Sequence, residues 1–139
     1  LGSHEKPVSC VEYCASSAML LTGSWDGTLK QWDHRAAQPL VATASLPDKV
    51  YTMSLSPSGK LVVGMASQHV HIYDVRNMSE AWQQRTSSLT PQTRCVRCNT
   101  DDTGYVLSTV EGRVAVECVE KKKKLVDLWK MKEKEMAKM

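Results

Sequence analysis

Residues 22–33 decide the fold, and they read Thr-Gly-Ser-Trp-Asp-Gly-Thr-Leu-Lys-Gln-Trp-Asp. Two further twelve-residue windows align with this stretch without gaps, beginning at Val63 and at Leu107, so that the starts are 41 and 44 residues apart. Each window has a short apolar run, a polar turn and an alternating segment, which together predict two strands joined by a tight hairpin. A period near 40 residues is typical of β-sheet units that stack side by side.

The turns contain residues that favour a positive φ. Asp26-Gly27 and Glu111-Gly112 place glycine where a two-residue hairpin loop requires it, and Ser67-Gln68 is a weaker version of the same loop. Segments rich in β-branched and aromatic residues predict a further strand before each hairpin, at 8–14, 50–55 and 93–98, and outer strands at 40–46 and 84–89. The chain up to Cys118 is therefore predicted to be almost entirely β.

The first window, with Ser3-His4 before it, resembles a WD repeat. In that family a His, a Ser or Thr, the Asp of the turn and the Trp form a hydrogen-bonded network within the sheet. The matching residues here are His4, Thr22, Asp26 and Trp32. The second and third windows are degenerate, because they end in Tyr73-Asp74 and Glu117-Cys118.

The chain up to about residue 118 is similar to the mitotic checkpoint propellers of the Bub family, and to its third member in particular. Segments in the family's order carry this resemblance, namely residues 10–13, 23–26, 49–51, 74–78, 87–89, 92–97 and 111–117. The messenger-RNA export propeller at the nuclear pore is a sister branch with similar segments. Residues 76–78 and 93–95 favour the checkpoint branch.

The predicted architecture is an all-β, partial WD-repeat β-propeller of about three blades, with repeats at 1–33, 34–74 and 75–118. Family members have seven blades, so the resemblance implies a truncated chain. Residues 119–139 form a divergent Lys-rich tail, which is predicted to be a basic helix because residues 120–139 contain no Gly or Pro. This helix is interpreted as a solvated helix that covers propeller surface or, with less weight, as a partner, nucleic-acid or import segment.

Composition limits the partners. The net charge is +3, but the tail carries +4, so residues 1–118 carry −1 and give no signal for polyanion binding. No apolar run approaches the roughly 20 residues that span a bilayer, and no secretory signal is present. Five cysteines, an odd number, therefore indicate reduced thiols in the cytosol or nucleus.

No residues suggest catalysis, a cofactor or a metal site. Cys95 and Cys98 have metal-type spacing, but residues three apart on a strand face opposite ways, so the cysteines are interpreted mainly as small buried hydrophobes. His69 and His71 share a strand face about 6–7 Å apart with no third ligand nearby in sequence. Nucleophile-elbow, P-loop and dinucleotide motifs are missing from the sequence.

The resemblance implies a peptide site on the top face of the propeller, which in the family holds a short motif of checkpoint kinases called the Gle2-binding sequence. Trp25 and Arg113 match residues that contact this motif, and Arg94 and Arg97 are weaker candidates. Trp25 would supply a flat apolar platform, and the Arg113 fork suits a carboxylate. The alternatives are that Trp25 packs on a neighbouring blade and that Arg113 is a solvated surface residue.

The function expected from the resemblance is a non-enzymatic scaffold of the spindle assembly checkpoint in the nucleus, kinetochore and cytoplasm. Its expected partners are checkpoint kinase peptides, and by resemblance ubiquitin-binding or kinetochore scaffold proteins. Some basic residues that the family uses for phosphothreonine motifs lie outside the matched stretch, so that activity is not expected here. The alternatives are an export factor of the sister branch and a remnant without stable function. A truncated array is also expected to self-associate.

Overall fold

The computed structural model describes residues 1–87, 89 and 92–119, which contain eleven strands in three antiparallel sheets. Consecutive strands pair within each sheet, and we name the sheets blades 1, 2 and 3 in chain order. Blade 1 contains β1 (Val8–Cys14), β2 (Met19–Ser24), β3 (Thr28–Trp32) and β4 (Leu40–Ser45). Blade 2 contains β5 (Val50–Leu55), β6 (Lys60–Met65), β7 (His69–Asp74) and β8 (Gln83–Thr86). Blade 3 contains β9 (Thr93–Cys98), β10 (Gly104–Thr109) and β11 (Val114–Cys118).

The prediction of an all-β chain built from partial propeller blades is confirmed. The first strand of every blade has the bounds expected from the sequence. The outer strand expected at 84–89 is wrong at its end, because β8 stops at Thr86, opposite His69, the first residue of β7. One more hydrogen bond continues this pairing beyond the strand, from the Ser87 N–H to the Gln68 carbonyl oxygen at 2.7 Å. The predicted tail helix lies outside the described residues. Among those residues, no helix is long and apolar enough to cross a membrane.

The hairpin loops are longer than the two residues expected. In blade 1 the Gly27 N–H donates to the Ser24 carbonyl oxygen at 3.2 Å, so Trp25 and Asp26 are the central residues of the turn. Gly27, with φ of 78°, is a third loop residue in the left-handed conformation. Blade 3 repeats this arrangement with Gly112, at φ of 85°. A turn followed by a left-handed glycine is the usual three-residue hairpin, which explains why glycine follows the turn rather than occupying its centre.

Blade 2 makes its hairpin without glycine. Ala66–Gln68 forms a 3₁₀ turn in which Ser67 and Gln68 have φ of 59° and 68°. The sequence therefore placed the turn correctly, and two L-residues accept the left-handed conformation there.

The blades stack through their first strands, so that β5 contacts β1 on one side and β9 on the other. Gly23 of β2 allows the close approach of blade 2, because a Cβ at this position would come within 2.7 Å of the Val50 side chain. Gly64 is the equivalent residue of β6, and its Cβ would come within 3.2 Å of Thr93 in blade 3. The equivalent positions of β2 and β6 therefore both require glycine, because another blade packs closely against each of them.

Hydrogen bonds tie each blade to the next. Ser9 Oγ donates to the Val50 carbonyl oxygen at 2.6 Å, and Gln31 Nε2 donates to the Val75 carbonyl oxygen at 3.2 Å. Between blades 2 and 3, the Cys98 N–H donates to Ser54 Oγ at 2.9 Å. Gln31 makes its bond from the face that it shares with Leu29, as the alternation in the first window predicts.

Apolar clusters fill both spaces between blades. Leu21, Leu29, Val50, Leu61 and Val63 belong to the cluster between blades 1 and 2, and the second cluster includes Val62, Val70, Ile72, Val96, Tyr105 and Leu107. Residues 61–63 are fully buried. The reason is that blade 2 is covered on both faces.

The five cysteines differ in how far they are buried. All five are free thiols, and Cys14 and Cys118 are buried as expected. Cys95 is exposed, which corrects its interpretation as a buried small hydrophobe.

Candidate functional site

The three hairpin loops lie at one end of the stacked blades. In every blade the first loop residue donates its backbone N–H to the residue just before the blade's first strand, in the pairs Trp25–Pro7 at 3.1 Å, Ala66–Lys49 at 3.0 Å and Val110–Gln92 at 3.0 Å. The beginnings of β1, β5 and β9 are therefore beside the loops. We name this end the turn face, and it carries the sequence-predicted contact residues.

Trp25 is the first residue of its loop, and the residue is 43% exposed. Its position is fixed through the backbone, by the bond to Pro7 and by the turn that Gly27 closes on Ser24. The indole thus offers an accessible apolar surface on a constrained loop. An exposed aromatic on a rigid turn costs little conformational entropy when a partner covers it.

Arg113 and Arg94 bring positive charge to the same end in blade 3, and both are exposed. Arg113 follows the loop directly, and its backbone pairs with Thr109, whose N–H donates to the Arg113 carbonyl oxygen at 2.9 Å. Arg94 lies at a register shift, since Cys95 pairs with Ser108 while Thr93 pairs with Thr109. Bulges of this kind re-aim a side chain, so the simple strand period does not fix its direction.

Arg97 is placed differently from the other two arginines. Its Nη1 lies 3.6 Å from Glu12 Oε1, which joins blade 3 to blade 1 across the first strand of blade 2. This guanidinium is 72% exposed but already faces a carboxylate. It is therefore less available for a ligand than Arg94 or Arg113.

The residues of the expected network lie together in blade 1 as a chain of hydrogen bonds. Trp32 Nε1 donates to Thr22 Oγ1 at 2.9 Å, and Thr22 Oγ1 lies 2.7 Å from His4 Nε2. His4 Nδ1 lies 3.1 Å from Asp26 Oδ2. A carboxylate only accepts, so Nδ1 carries the proton, and in the neutral imidazole Nε2 accepts from the Thr22 hydroxyl. The chain links the end of β3 to the loop that carries Trp25.

Thr28 completes this network, and the sequence reasoning missed it. Its hydroxyl and its backbone N–H donate to Asp26 Oδ1 at 2.6 and 3.0 Å. The Glu5 N–H donates to Asp26 Oδ2 at 3.1 Å. An Asp that bonds the backbone two residues later is a common turn motif, so the Asp-Gly-Thr order contained the signal.

Asp26 is held as a carboxylate by these donors. Burial acts to raise its pKa, but hydrogen bonds from Thr28, the Glu5 N–H and His4 together lower the pKa to about 2. A carboxyl whose pKa is lower in the folded state than in the unfolded state stabilises the fold above its unfolded pKa, and this stabilisation is lost as the pH falls towards the folded value.

We expect blade 1 to lose stability between about pH 4 and pH 2, the interval between the ordinary and the folded pKa of Asp26. Urea unfolding followed at several pH values measures this, with Asp26→Asn as the matched variant. The variant should be less stable at pH 7 and should depend less on pH over that interval. Parallel pH dependence of the two proteins would contradict the role of Asp26.

Blade 3 replaces this network with another. Glu117 stands where the first window has Trp32, it is buried, and its Oε2 accepts from the Tyr105 hydroxyl at 2.6 Å. Arg85 of β8 donates to the Tyr105 hydroxyl at 3.4 Å and to the Val119 carbonyl oxygen at 2.9 Å. The cluster ties the outer strand of blade 2 to blade 3. The sequence reasoning gave Glu117 no role, because a Glu at this position reads only as a degenerate repeat.

Comparisons with known proteins support this architecture. The family model "WD domain, G-beta repeat" matches residues 1–33. The mitotic checkpoint protein BUB3.1 of Arabidopsis thaliana is 54% identical over 121 residues, which are 84% of this chain and 35% of that protein. The mitotic checkpoint protein bub3 of Dictyostelium discoideum is 46% identical over 118 residues, with 84% and 36% covered. The mRNA export factor GLE2 of Chaetomium thermophilum is 36% identical over 124 residues, with 88% and 34% covered.

The chain spans about a third of the length of these curated relatives. The alignments nevertheless cover most of this chain. The first repeat carries both the family match and the complete hydrogen-bonded network. The chain therefore carries a WD repeat at residues 1–33, and over most of its length it is similar to the Bub3 mitotic checkpoint proteins and to the mRNA export factor.

Proposed function

We propose that the chain is a non-enzymatic protein-interaction module of the spindle assembly checkpoint, which binds the Gle2-binding sequence of checkpoint kinases on its turn face. The observation that carries the proposal is the exposed Trp25 on a loop held by the complete network of blade 1. The names of the relatives support the checkpoint assignment, because two of them are mitotic checkpoint proteins. By the same resemblance we place the module in the nucleus, at kinetochores and in the cytoplasm.

The chemistry of the turn face suits a short peptide that combines an apolar and an acidic residue. The Trp25 ring supplies the apolar contact, and the exposed guanidiniums of Arg113 and Arg94 supply charge-assisted donors. Aromatic residues and arginines are the residue types that most often dominate the binding energy of an interface. Kinetochore scaffold and ubiquitin-binding proteins are further candidate partners by resemblance.

We expect Trp25→Ala and Arg113→Ala each to weaken a Gle2-binding-sequence peptide by about 1–3 kcal/mol. Fluorescence anisotropy with a labelled peptide measures the effect, and circular dichroism checks the fold. Trp82→Ala is the matched control for Trp25, because Trp82 is also 44% exposed but lies beside Lys60, at the opposite end of blade 2. Arg35→Ala is the control for Arg113, since its guanidinium is exposed and pairs with Asp33.

The control variants should bind the peptide like the unaltered chain. Unfolding of Trp25→Ala would support the alternative in which Trp25 packs against its surroundings. If all four variants bound the peptide as tightly as the unaltered chain, the peptide site would not lie on the turn face.

An export factor is the second candidate, and the similarity to the mRNA export factor GLE2 is the observation that favours it. In that case the Lys-rich residues 120–139 would contact RNA, with an affinity that falls steeply with salt. Salt-dependent RNA binding that disappears when residues 120–139 are deleted would favour this candidate over the checkpoint module.

A further inference from the structure

A groove runs along the outer edge of blade 1, between β4 and the sheet of blade 2. It has a volume of about 800 Å³, within the usual range of ligand sites. Thr43 and Ser45 of β4 line one side of it, and His71 and Tyr73 of β7 line the other. We name it the rim groove. The contact residues expected on the turn face are not part of its lining, so it is a separate surface.

β4 is an edge strand whose backbone groups are free on the side of the rim groove. It pairs with β3 on its other side, where the Leu46 N–H donates to the Gly27 carbonyl oxygen at 2.8 Å. Backbone groups alternate in direction along an antiparallel strand. Those of Ala44 therefore also face β3, whereas those of Thr43 and Ser45 face away from it. Along β4 the rim groove thus has N–H and C=O groups that no strand among the described residues pairs with.

The edge of β4 lacks the usual protection against the addition of another strand. Natural edge strands are commonly short, charged or interrupted by proline. β4 has six residues, none of them charged or proline, and its register shift is confined to Val41 near the start. Leu40 and Val41 are also exposed. β8, on the other side of the groove, has four residues and contains Arg85. β4 rather than β8 is therefore the strand suited to receive a partner.

His71 is a buried polar residue that the fold does not satisfy. The residue is 6% exposed, and its Nδ1 has no hydrogen-bond partner among the described residues. Buried polar atoms in native proteins are nearly always paired, so each exception suggests a missing partner. Burial lowers the pKa of His71, and the nearby His69 lowers it further, so the ring is neutral at pH 7. A neutral imidazole has one donor and one acceptor, which hydroxyl and amide groups can satisfy.

The charged residues of the rim groove leave its interior without a dominant charge. Arg85 lines the groove, but its Nη2 donates to the Val119 carbonyl oxygen at 2.9 Å and its Nε to Gln83 Oε1 at 2.8 Å, so the guanidinium faces blade 3. Glu80 also lines the groove, but it is exposed, so its carboxylate stays solvated. Together with the neutral His71, this lining suits uncharged polar groups.

We propose that the rim groove is the docking site for an extended, uncharged segment of a partner protein, which adds to β4 as a further strand and directs a Ser, Thr, Asn or Gln side chain towards His71. In this binding mode the main-chain hydrogen bonds supply affinity, and the pockets for alternate side chains supply specificity. The backbone groups of Thr43 and Ser45 make the main-chain bonds. The site does not depend on the function proposed for the turn face.

A second copy of the chain fits the rim groove less well than such a segment. Ala42 and Ala44 of β4 pack towards the core between blades 1 and 2. If β4 paired with its own copy about a two-fold axis, the copy would present the same two alanines on this face. His71 would then remain without a hydrogen-bond partner.

An acetylated and amidated octapeptide of alternating threonine and valine is the probe, used with the full 139-residue chain. Fluorescence anisotropy of the labelled peptide gives the affinity, and amide hydrogen exchange locates the pairing. We expect exchange at Thr43 and Ser45 to slow when the peptide binds. Thr43→Pro should weaken binding at least about tenfold, because it removes a free N–H without removing a bond of the β3–β4 ladder. His71→Leu should weaken binding about threefold, the effect of one neutral hydrogen bond.

Gln84→Pro is the matched control. The Ser87 N–H donates to the Gln68 carbonyl oxygen, so by the same alternation the N–H of Gln84 faces away from β7. This variant therefore places proline on the free edge of the opposite strand, and it should bind the peptide like the unaltered chain.

Four results would overturn the proposal. The first is no binding of the peptide at millimolar concentration, and the second is binding that leaves exchange at Thr43 and Ser45 unchanged. The third is loss of binding in Gln84→Pro but not in Thr43→Pro, which would place the peptide on β8. The fourth is association of the chain without peptide that Thr43→Pro abolishes, which would make a second copy the occupant. If circular dichroism shows that Thr43→Pro is unfolded, hydrogen exchange in the unaltered chain still decides the question.

Discussion

Replacing Asp26 with alanine should reduce the free energy of unfolding by about 3 kcal/mol, a large part of the 5–15 kcal/mol typical of a domain. The carboxylate accepts from His4, from the Glu5 N–H and from both donors of Thr28. Alanine removes every one of these acceptors at once. Donors left unsatisfied in a partly buried site cost more than the bonds themselves contribute. Urea unfolding at a fixed protein concentration measures the loss.

Glu111→Ala is the matched control for this prediction. Glu111 occupies the same loop position in blade 3, but it is exposed, and no hydrogen bond to its side chain is found among the described residues. Its replacement should change stability by no more than about 0.5 kcal/mol. If the two variants lost equal stability, the loop itself rather than the network would be responsible.

The repeat period could be read from the sequence because every blade obeys the same two constraints. A strand pair needs an alternating pattern around a turn, and the innermost strand needs β-branched or aromatic residues. These requirements located β1, β5 and β9 with correct bounds. The end of β8 could not be found this way, because it is set by the partner strand. Thr86 pairs with His69, where β7 begins directly after the Ala66–Gln68 turn.

The sequence predicted the residues of the candidate site that match a family motif. It did not predict the residues that interact across two blades. Trp25 and the four expected network residues came from the family resemblance of the first repeat, and the binding role of Trp25 stays a prediction. Thr28 was missed because a Thr in a strand is ordinary. Glu117 shows the same limit, since its partner Tyr105 lies twelve residues away and Arg85 comes from another blade. Interactions between blades depend on stacking, which one repeat does not encode.

Stacking also leaves two faces uncovered in the part of the chain that the structure describes. On blade 1, Val11 and Tyr13 of β1 are 58% and 51% exposed on the side away from blade 2. On blade 3, Val114 and Val116 of β11 are exposed, and Val116 pairs with Val106 on the same outer face. A contiguous apolar face of this kind is a site of association. In the full propellers of the family such faces are covered by neighbouring blades, as the faces of blade 2 are here.

The isolated 139-residue chain should therefore self-associate or have a low melting temperature. A repeat array gains stability from the interfaces between units, and the described residues form two interfaces among three blades. Analytical ultracentrifugation combined with a thermal melt measures both properties. The double variant Val114→Lys with Val116→Lys should shift the population towards monomer. Trp82→Lys also replaces an exposed apolar residue with a charged one, but Trp82 lies away from both faces, so this variant should not change the population. A monodisperse monomer that melts cooperatively above roughly 60 °C, near the upper limit for mesophile domains, would show that the open faces do not govern the behaviour of the chain.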